Sequence, residues 1–163
     1  MVKSVSGISP FLTKWGVRVG RSTYSMLPNN LIWINDYIDE EFKLNPSEMV
    51  VLINIISNWW KEDQIPAVSK SLISKRTRLS QRQVQRTISS LEEKGYIKRV
   101  YVGQKAGGAN GFLISGTIQH VETVISRRLQ VIDQQREMEG KPSRFDEFWS
   151  RENSVEFPED PPF

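Results

Sequence analysis

The sequence has no cysteine and one histidine, His120, among its 163 residues. Without cysteine there can be no disulfide bond, no thiolate catalysis and no cysteine-ligated zinc finger. His120 has no partner motif, so we expect a surface or hydrogen-bonded histidine rather than a metal ligand. No cluster of nucleophile, general base or metal ligands can be assembled from the remaining residues. We therefore expect no catalytic residues, no metal and no cofactor, and a protein that is not an enzyme.

Long apolar runs are missing as well. The richest apolar stretch, residues 49–56, is far shorter than the roughly 20 residues that cross a bilayer. Residues 1–15 have no sustained apolar segment and no small-residue cleavage site, which argues against a secretory signal. We expect a soluble, cytoplasmic protein that makes no membrane contact.

The net charge of +3 understates how strongly the charges are separated along the chain. Between Lys61 and Lys105 there are eleven Lys and Arg against four Asp and Glu, a local balance of +7. From Glu137 to Phe163 there are three basic and eight acidic residues, a balance of −5. A basic block suits a polyanionic partner, because each neutralised phosphate releases condensed counterions. A solvated charged surface is the alternative explanation.

Helix start signals recur along the chain. The spacing of apolar residues over 31–42 predicts a first helix. Asn45, Pro46 and Glu48 then combine a capping box with a proline at the first helical position. The helix that follows is apolar on nearly all sides as far as the tryptophan pair at 59–60, so we expect it to be buried at the centre of the core.

Two further helices are predicted from their caps. Ser69 can cap a short helix that ends near residues 76–78. Ser80 and Gln83 form a second capping box, and Gly95 suits the left-handed end of the helix that they start.

A β-hairpin is predicted after this helix. Residues 96–102 and 111–115 are rich in β-branched and aromatic side chains, and the loop at 103–110 contains three glycines, as a hairpin connection does. Residues 65–68 can add at most a brief edge strand, because Pro66 has no N–H donor.

This order of elements predicts a winged helix-turn-helix, a mainly α fold with a small β-hairpin. In such a fold the third helix, here residues 80–94, enters the major groove, and the wing, here 103–110, lies along the DNA backbone or in the minor groove. The predicted domains are an N-terminal arm at 1–30, a winged helix-turn-helix at 31–116, a long C-terminal helix at 117–139 and an acidic flexible tail at 140–163.

The exposed side of the helix at 80–94 is predicted to contact bases. At about 100° per residue, Val84, Ile88 and Leu91 share one narrow arc, which is the core side. The opposite side carries groups that can hydrogen-bond, and no acidic residue precedes Glu92. Arginine pairs well with guanine and glutamine with adenine, so direct base readout is chemically possible. The predicted base-reading residues are Ser80, Gln81, Arg82, Gln85, Arg86 and Ser89.

Phosphate contacts are predicted from the preceding helix, the turn and the wing, and they would fix the register of binding rather than its sequence. The residues concerned are Lys70, Ser71, Lys75, Arg76, Arg78, Lys98, Arg99 and Lys105. We expect double-stranded DNA as the partner and a nucleoid-associated location. The alternative is a protein-interaction module that uses the helix-turn-helix as a scaffold and the acidic tail as bait.

The long helix at 117–139 has an apolar stripe with two possible partners. A homodimer is one, and packing on the helix at 31–42 of the same chain is the other, because Arg127 and Arg128 interrupt the heptad pattern. The stripe consists of Ile118, Val121, Ile125, Leu129 and Ile132.

Residues 44–97 resemble a helix-turn-helix family that is common in phage and plasmid replication proteins and in prophage regulators. The most specific stretch is S-x-x-Q-V-Q-R-x-I-x-x-L-E-x-x-G-Y-I, from Ser80 to Ile97. The resemblance implies DNA binding through Ser80, Gln81, Arg82, Gln85 and Arg86. The segment SRFDEFWS, residues 143–150, resembles a short element of phage lambda O-like replication proteins. A replication protein or transcriptional regulator, with a replication or transcription protein as a further partner, is what these likenesses imply.

Overall fold

The computed structural model describes residues 25, 27–61, 63–101 and 110–141. The predicted N-terminal arm, the wing loop and the acidic tail lie mostly outside these residues. In chain order the elements are α1 (Asn29–Ile32), α2 (Ile34–Tyr37), a 3-10 helix (Glu40–Phe42), α3 (Pro46–Ile56), α4 (Lys70–Thr77), α5 (Gln81–Glu93), β1 (Lys98–Tyr101), β2 (Asn110–Leu113) and α6 (Ser115–Met138).

The prediction of one continuous helix over 31–42 is wrong, because this segment forms α1, α2 and the 3-10 helix. Trp33, at φ −93° and ψ 16°, separates α1 from α2, and Ile38 is extended at φ −101° and ψ 157°. The extended backbone lets Ile38 join the buried core cluster. Asn35 fixes the return of the chain, because its side chain donates to Leu44 O at 2.7 Å and accepts from Leu44 N at 2.8 Å. These contacts between distant residues override the helical spacing.

The start of α3 is confirmed as predicted. Asn45 Oδ1 accepts from Glu48 N at 3.0 Å, Glu48 Oε2 accepts from Asn45 N at 2.7 Å, and Pro46 occupies the first turn. The helix ends at Ile56, before the tryptophan pair that we expected it to reach. Asn58 Nδ2 donates to Asn54 O at 2.6 Å, and such local side-chain bonds compete with continuation of a helix.

The core is built around α3. Val51, Leu52 and Ile55 on this helix are completely buried. Side chains from α4, α5 and the hairpin complete the cluster, and they include Ile73, Val84, Ile88, Leu91, Tyr96 and Phe112. Burial of a side chain of this size stabilises the fold by about 1.5–3 kcal/mol, so packing on α3 fixes where α5 lies.

The hairpin is antiparallel, with Lys98 opposite Leu113 and Arg99 opposite Phe112. The predicted edge strand is confirmed in its shortest form, a single bridge between Ala67 and Gly111. Pro66 lacks an N–H but contributes its carbonyl, which accepts from Phe112 N at 2.9 Å. The chain is therefore a mainly helical winged helix-turn-helix with a small two-stranded sheet, as the sequence predicted.

Two arginines attach α6 to α1 and α2 of the same chain. Arg127 donates to both carboxylate oxygens of Asp39, at 2.9 and 2.7 Å, and to Tyr37 O at 3.1 Å. Arg128 donates to Asn30 Oδ1 at 3.2 Å and lies 4.7 Å from the centre of the Trp33 ring. The residues that interrupt the heptad are thus the ones that hold this helix in place.

The apolar stripe of α6 is only partly used by these contacts. Val124, which the predicted stripe omitted, is the fully buried apolar residue of the helix and belongs to the core cluster. Ile118 remains 43% exposed, whereas Val121, Ile125, Leu129 and Ile132 are half-buried. Packing within one chain therefore accounts for part of the stripe, and self-association stays a prediction. In the part of the chain described, no helix is both long and apolar enough to span a bilayer.

Candidate nucleic-acid interface

The N-terminal end of α5 is fixed by its own side chains. Ser80 Oγ accepts from Gln83 N at 3.2 Å, and Gln83 Oε1 accepts from Ser80 N at 2.9 Å. This is the capping box that the sequence predicted. It leaves the positive end of the helix dipole at the exposed start of α5, which favours an approaching anion.

The C-terminal end of α5 is closed by Gly95, also as predicted. Gly95 has φ +75°, Tyr96 N donates to Leu91 O at 2.9 Å, and Gly95 N donates to Glu92 O at 3.0 Å. This pair of bonds is the Schellman motif. Both ends of the helix are therefore set by local chemistry.

The first turn of α6 lies directly against this end of α5. A Cβ at Gly116 would be 1.8 Å from Gly95 O, so only glycine permits the approach. Thr117 Oγ1 donates to Tyr96 O at 2.8 Å, and His120 Nε2 lies 3.1 Å from Lys94 O. His120 is thus the hydrogen-bonded histidine that the sequence predicted, and nothing in the sequence pattern identified the role of Gly116.

One face of α5 is packed and the other is exposed. Val84, Ile88 and Leu91 are at most 1% exposed, as predicted for the core side. Arg82 and Arg86 are exposed on the opposite side. Of the remaining predicted base-reading residues, Ser80 and Gln81 are exposed, and Gln85 and Ser89 are half-buried.

Five exposed cations on α4, on α5 and in the turn between them form no ion pair within the described part of the chain. Within the described ranges no ion pair involves Arg82 or Arg86. The same is true of three exposed cations on α4 and the following turn, Lys75, Arg76 and Arg78. Residues 64–91 contain six Lys and Arg and no Asp or Glu. A surface of this composition attracts polyanions over distances of about a Debye length.

Two of the predicted phosphate-binding cations are engaged elsewhere in the protein. Lys70 Nζ donates to Gln85 Oε1 at 2.7 Å. Arg99 holds Glu92 through its backbone N at 3.0 Å and its Nε at 2.8 Å. These bonds, the backbone bond first, lower the pKa of Glu92 below its ordinary value. Of the other predicted phosphate contacts, Ser71 and Lys98 are exposed, and Lys105 lies outside the described residues.

The turn between α4 and α5 depends on an unusual backbone conformation at Arg78. Arg78 has φ +63°, in the left-handed region that glycine prefers. Its N donates to Ser74 O at 2.9 Å, and Ser74 Oγ donates to Leu79 O at 2.6 Å. Glycine would adopt this backbone conformation with less strain than arginine does. It would not, however, provide a guanidinium group at this position.

Replacing Arg78 by glycine is expected to raise Tm and to lower DNA affinity. Relief of the left-handed strain is worth about 1–2 kcal/mol, of which the greater chain entropy of glycine removes about 0.5–1 kcal/mol. Tm should then rise by a few degrees, and binding should weaken if Arg78 makes the phosphate contact that the sequence predicts. Arg76→Ala is the matched control, because it removes a charge without relieving strain. A fall in the Tm of Arg78→Gly would contradict this interpretation.

A buried carboxylate ties α3 to α5. Glu48 is 2% exposed; its Oε1 accepts from Ser90 Oγ at 2.6 Å and its Oε2 from Lys94 Nζ at 2.8 Å. Burial acts to raise the pKa of Glu48, but the bonds from Lys94, Ser90 and Asn45 N together outweigh it and hold the pKa below its ordinary value. The sequence predicted only the capping role of this residue, because its partners on α5 are more than 40 positions away.

The fold and the exposed face of α5 define a winged helix-turn-helix. In this class the third helix of the domain, which corresponds to α5 here, enters the major groove of DNA. Residues 43–97 match the family model of a helix-turn-helix domain. The match spans α3, α4 and α5, which is about a third of the chain. The chain therefore contains a helix-turn-helix domain. No curated protein and no solved structure gives a significant match.

Proposed function

We propose that the protein binds double-stranded DNA with sequence preference, with α5 in the major groove and the hairpin on the backbone. The observation that carries this proposal is the exposed face of α5, where Arg82 and Arg86 have no ion-pair partner among the residues that the structure describes. No acidic residue lies between residues 64 and 91 to repel a phosphate. Arginine side chains in this setting can contact both bases and phosphates.

Phosphate contacts are assigned to the cations that flank α5. Lys75, Arg76 and Arg78 extend from α4 and the turn, and Lys98 is exposed on the hairpin. Ser71 is exposed in the first turn of α4, where a hydroxyl can donate to phosphate. Lys105 on the wing would add a contact beyond the described residues. Such contacts fix the position of the protein on the duplex rather than its sequence preference.

The biological role is proposed from the sequence resemblance. The likeness of residues 44–97 to phage and plasmid replication proteins and prophage regulators supports a mobile-element protein that acts by occupying DNA. The segment at 143–150 supports a replication role, with a replication or transcription protein as partner. A homodimer through the exposed part of the α6 stripe would pair two half-sites.

Selection of bound duplexes from a random pool at two salt concentrations tests the function. We expect one sequence to be enriched, with an affinity that falls as salt rises. Four exposed phosphate-binding cations would give a slope of about −4 for log affinity against log salt, at roughly 0.9 per phosphate. Failure to bind any duplex at low ionic strength would contradict the proposal and favour a protein-interaction module.

A further inference from the structure

The side-chain amide of Gln85 is held in one orientation by Lys70. Lys70 is the first residue of α4, and its Nζ donates to Gln85 Oε1 at 2.7 Å, across 15 positions of sequence. Both side chains are half-buried, which restricts alternative rotamers. The amide oxygen therefore faces α4, and the NH₂ group is the end that is left for a ligand.

This orientation changes what Gln85 can recognise. A glutamine reads adenine by accepting from N6 and donating to N7 at the same time. Here Oε1 already accepts from an ammonium group, and the positive charge beside it opposes a second N–H donor. Gln85 therefore presents its NH₂ donors to a ligand, and guanine, with two major-groove acceptors, suits it better than adenine, with one acceptor and one donor.

Arg82 and Arg86 extend this property along the helix. A guanidinium has five N–H donors and no acceptor. The two residues are four positions apart, about 6 Å along the axis of α5, which is close to the separation of two base-pair steps at about 3.4 Å each. The nearest carboxylate on the same face, Glu93, is exposed seven residues beyond Arg86, about 10 Å further along the helix.

We propose that this donor-only surface, formed by Arg82, Gln85 and Arg86, selects guanine and that Lys70 excludes adenine at the position of Gln85. Guanine presents two acceptors, N7 and O6, in the major groove. Adenine presents one acceptor, N7, beside an NH₂ donor, thymine presents one acceptor, O4, and cytosine presents an NH₂ donor. Lys70 acts through Gln85 and is a positioning residue. This inference rests on the proposed binding of duplex DNA.

The test compares base preference in Lys70→Met with that in Lys75→Met. Both changes remove one positive charge from α4, but Lys75 is exposed and makes no hydrogen bond to Gln85. In random-pool selection, the unmodified protein should enrich two guanines about two base pairs apart. Lys70→Met frees the Gln85 amide, so it should gain about 5-fold or more for adenine at one neighbouring position. Lys75→Met should keep the original preference and bind all duplexes more weakly.

Two further measurements complete the test. Lys70→Arg retains a donor to Oε1 and should keep the original preference. If thermal melting shows that the methionine variant is unfolded, Lys70→Ala, which also removes the donor, takes its place. Replacing each selected guanine by 7-deazaguanine removes N7 and should lower the affinity of the unmodified protein about 5-fold or more.

Three results would overturn the inference. The first is that the unmodified protein enriches adenine at the position read by Gln85. The second is that Lys70→Arg gains the same preference for adenine as Lys70→Met. The third is that 7-deazaguanine at both guanine positions leaves the affinity of the unmodified protein unchanged. In each of these cases duplex DNA is still bound, so the proposed function survives. If no duplex is bound at low salt, the proposed function fails and the inference fails with it.

Discussion

Replacing Arg82 or Arg86 by alanine is expected to lower affinity for the selected duplex about 5- to 150-fold, since one bidentate contact to a base discriminates by about 1–3 kcal/mol. Affinity for a random duplex should change little by comparison. Both guanidinium groups are exposed and have no partner in the described part of the chain, so their removal should leave the fold intact. Fluorescence anisotropy with both duplexes measures the two losses.

Lys75→Ala is the matched control for this pair. Lys75 is an exposed cation on α4 and is proposed to contact phosphate, so its loss should weaken both duplexes alike and reduce the salt slope by about 1. Equal losses on the selected and random duplexes for all three variants would contradict the assignment of Arg82 and Arg86 to bases.

Replacing Glu48 by alanine is expected to lower the free energy of unfolding by about 3 kcal/mol, the lower end of the range for breaking a buried charge pair. The lower end applies because the Lys94 side chain is 24% exposed and retains a bond to Lys43 O at 2.6 Å. Ser90 Oγ and Asn45 N also lose their acceptor. Urea denaturation measures the loss.

Glu93→Ala is the control for this second prediction. Glu93 is exposed on α5 and has no bonded partner among the residues described, so its replacement should change stability by less than about 0.5 kcal/mol. Losses of similar size in the two variants would show that Glu48 does not join α3 to α5 in the way described.

Lowering the pH should change the free energy of unfolding of Glu48→Gln and of the unmodified protein by different amounts. Because the pKa of Glu48 is lower in the folded state, its contribution is complete above the unfolded pKa and is lost as pH falls through the folded pKa. The unmodified protein should therefore lose more stability than Glu48→Gln between neutral pH and about pH 3. Parallel stability curves for the two proteins would contradict the pKa shift.

The features that could be predicted from sequence are those set by neighbouring residues. The capping boxes at Asn45 and Ser80 depend on a partner three positions away, and Gly95 ends α5 through bonds to the preceding turn. The core side of α5 followed from its spacing alone. Local rules of this kind suffice to locate the helix that carries Arg82 and Arg86.

The features that could not be predicted depend on contacts between distant residues. Ile38 leaves the helical conformation to reach the core, and Glu48 finds its partners on α5 only after folding. The bond between Lys70 and Gln85 changes what a predicted base-reading residue can offer. The bonds of Arg127 to Asp39 could not be predicted either, because the heptad position of Arg127 does not indicate them.

The close approach of Gly116 to Gly95 places the first turn of α6 in direct contact with the end of α5, the helix that is proposed to enter the major groove. At 24 residues, α6 is about 36 Å long, and its first turn touches the end of α5 through backbone and polar groups rather than deformable apolar side chains. A displacement of the far end of α6, at Met138, would therefore be transmitted to the Schellman turn at the end of α5.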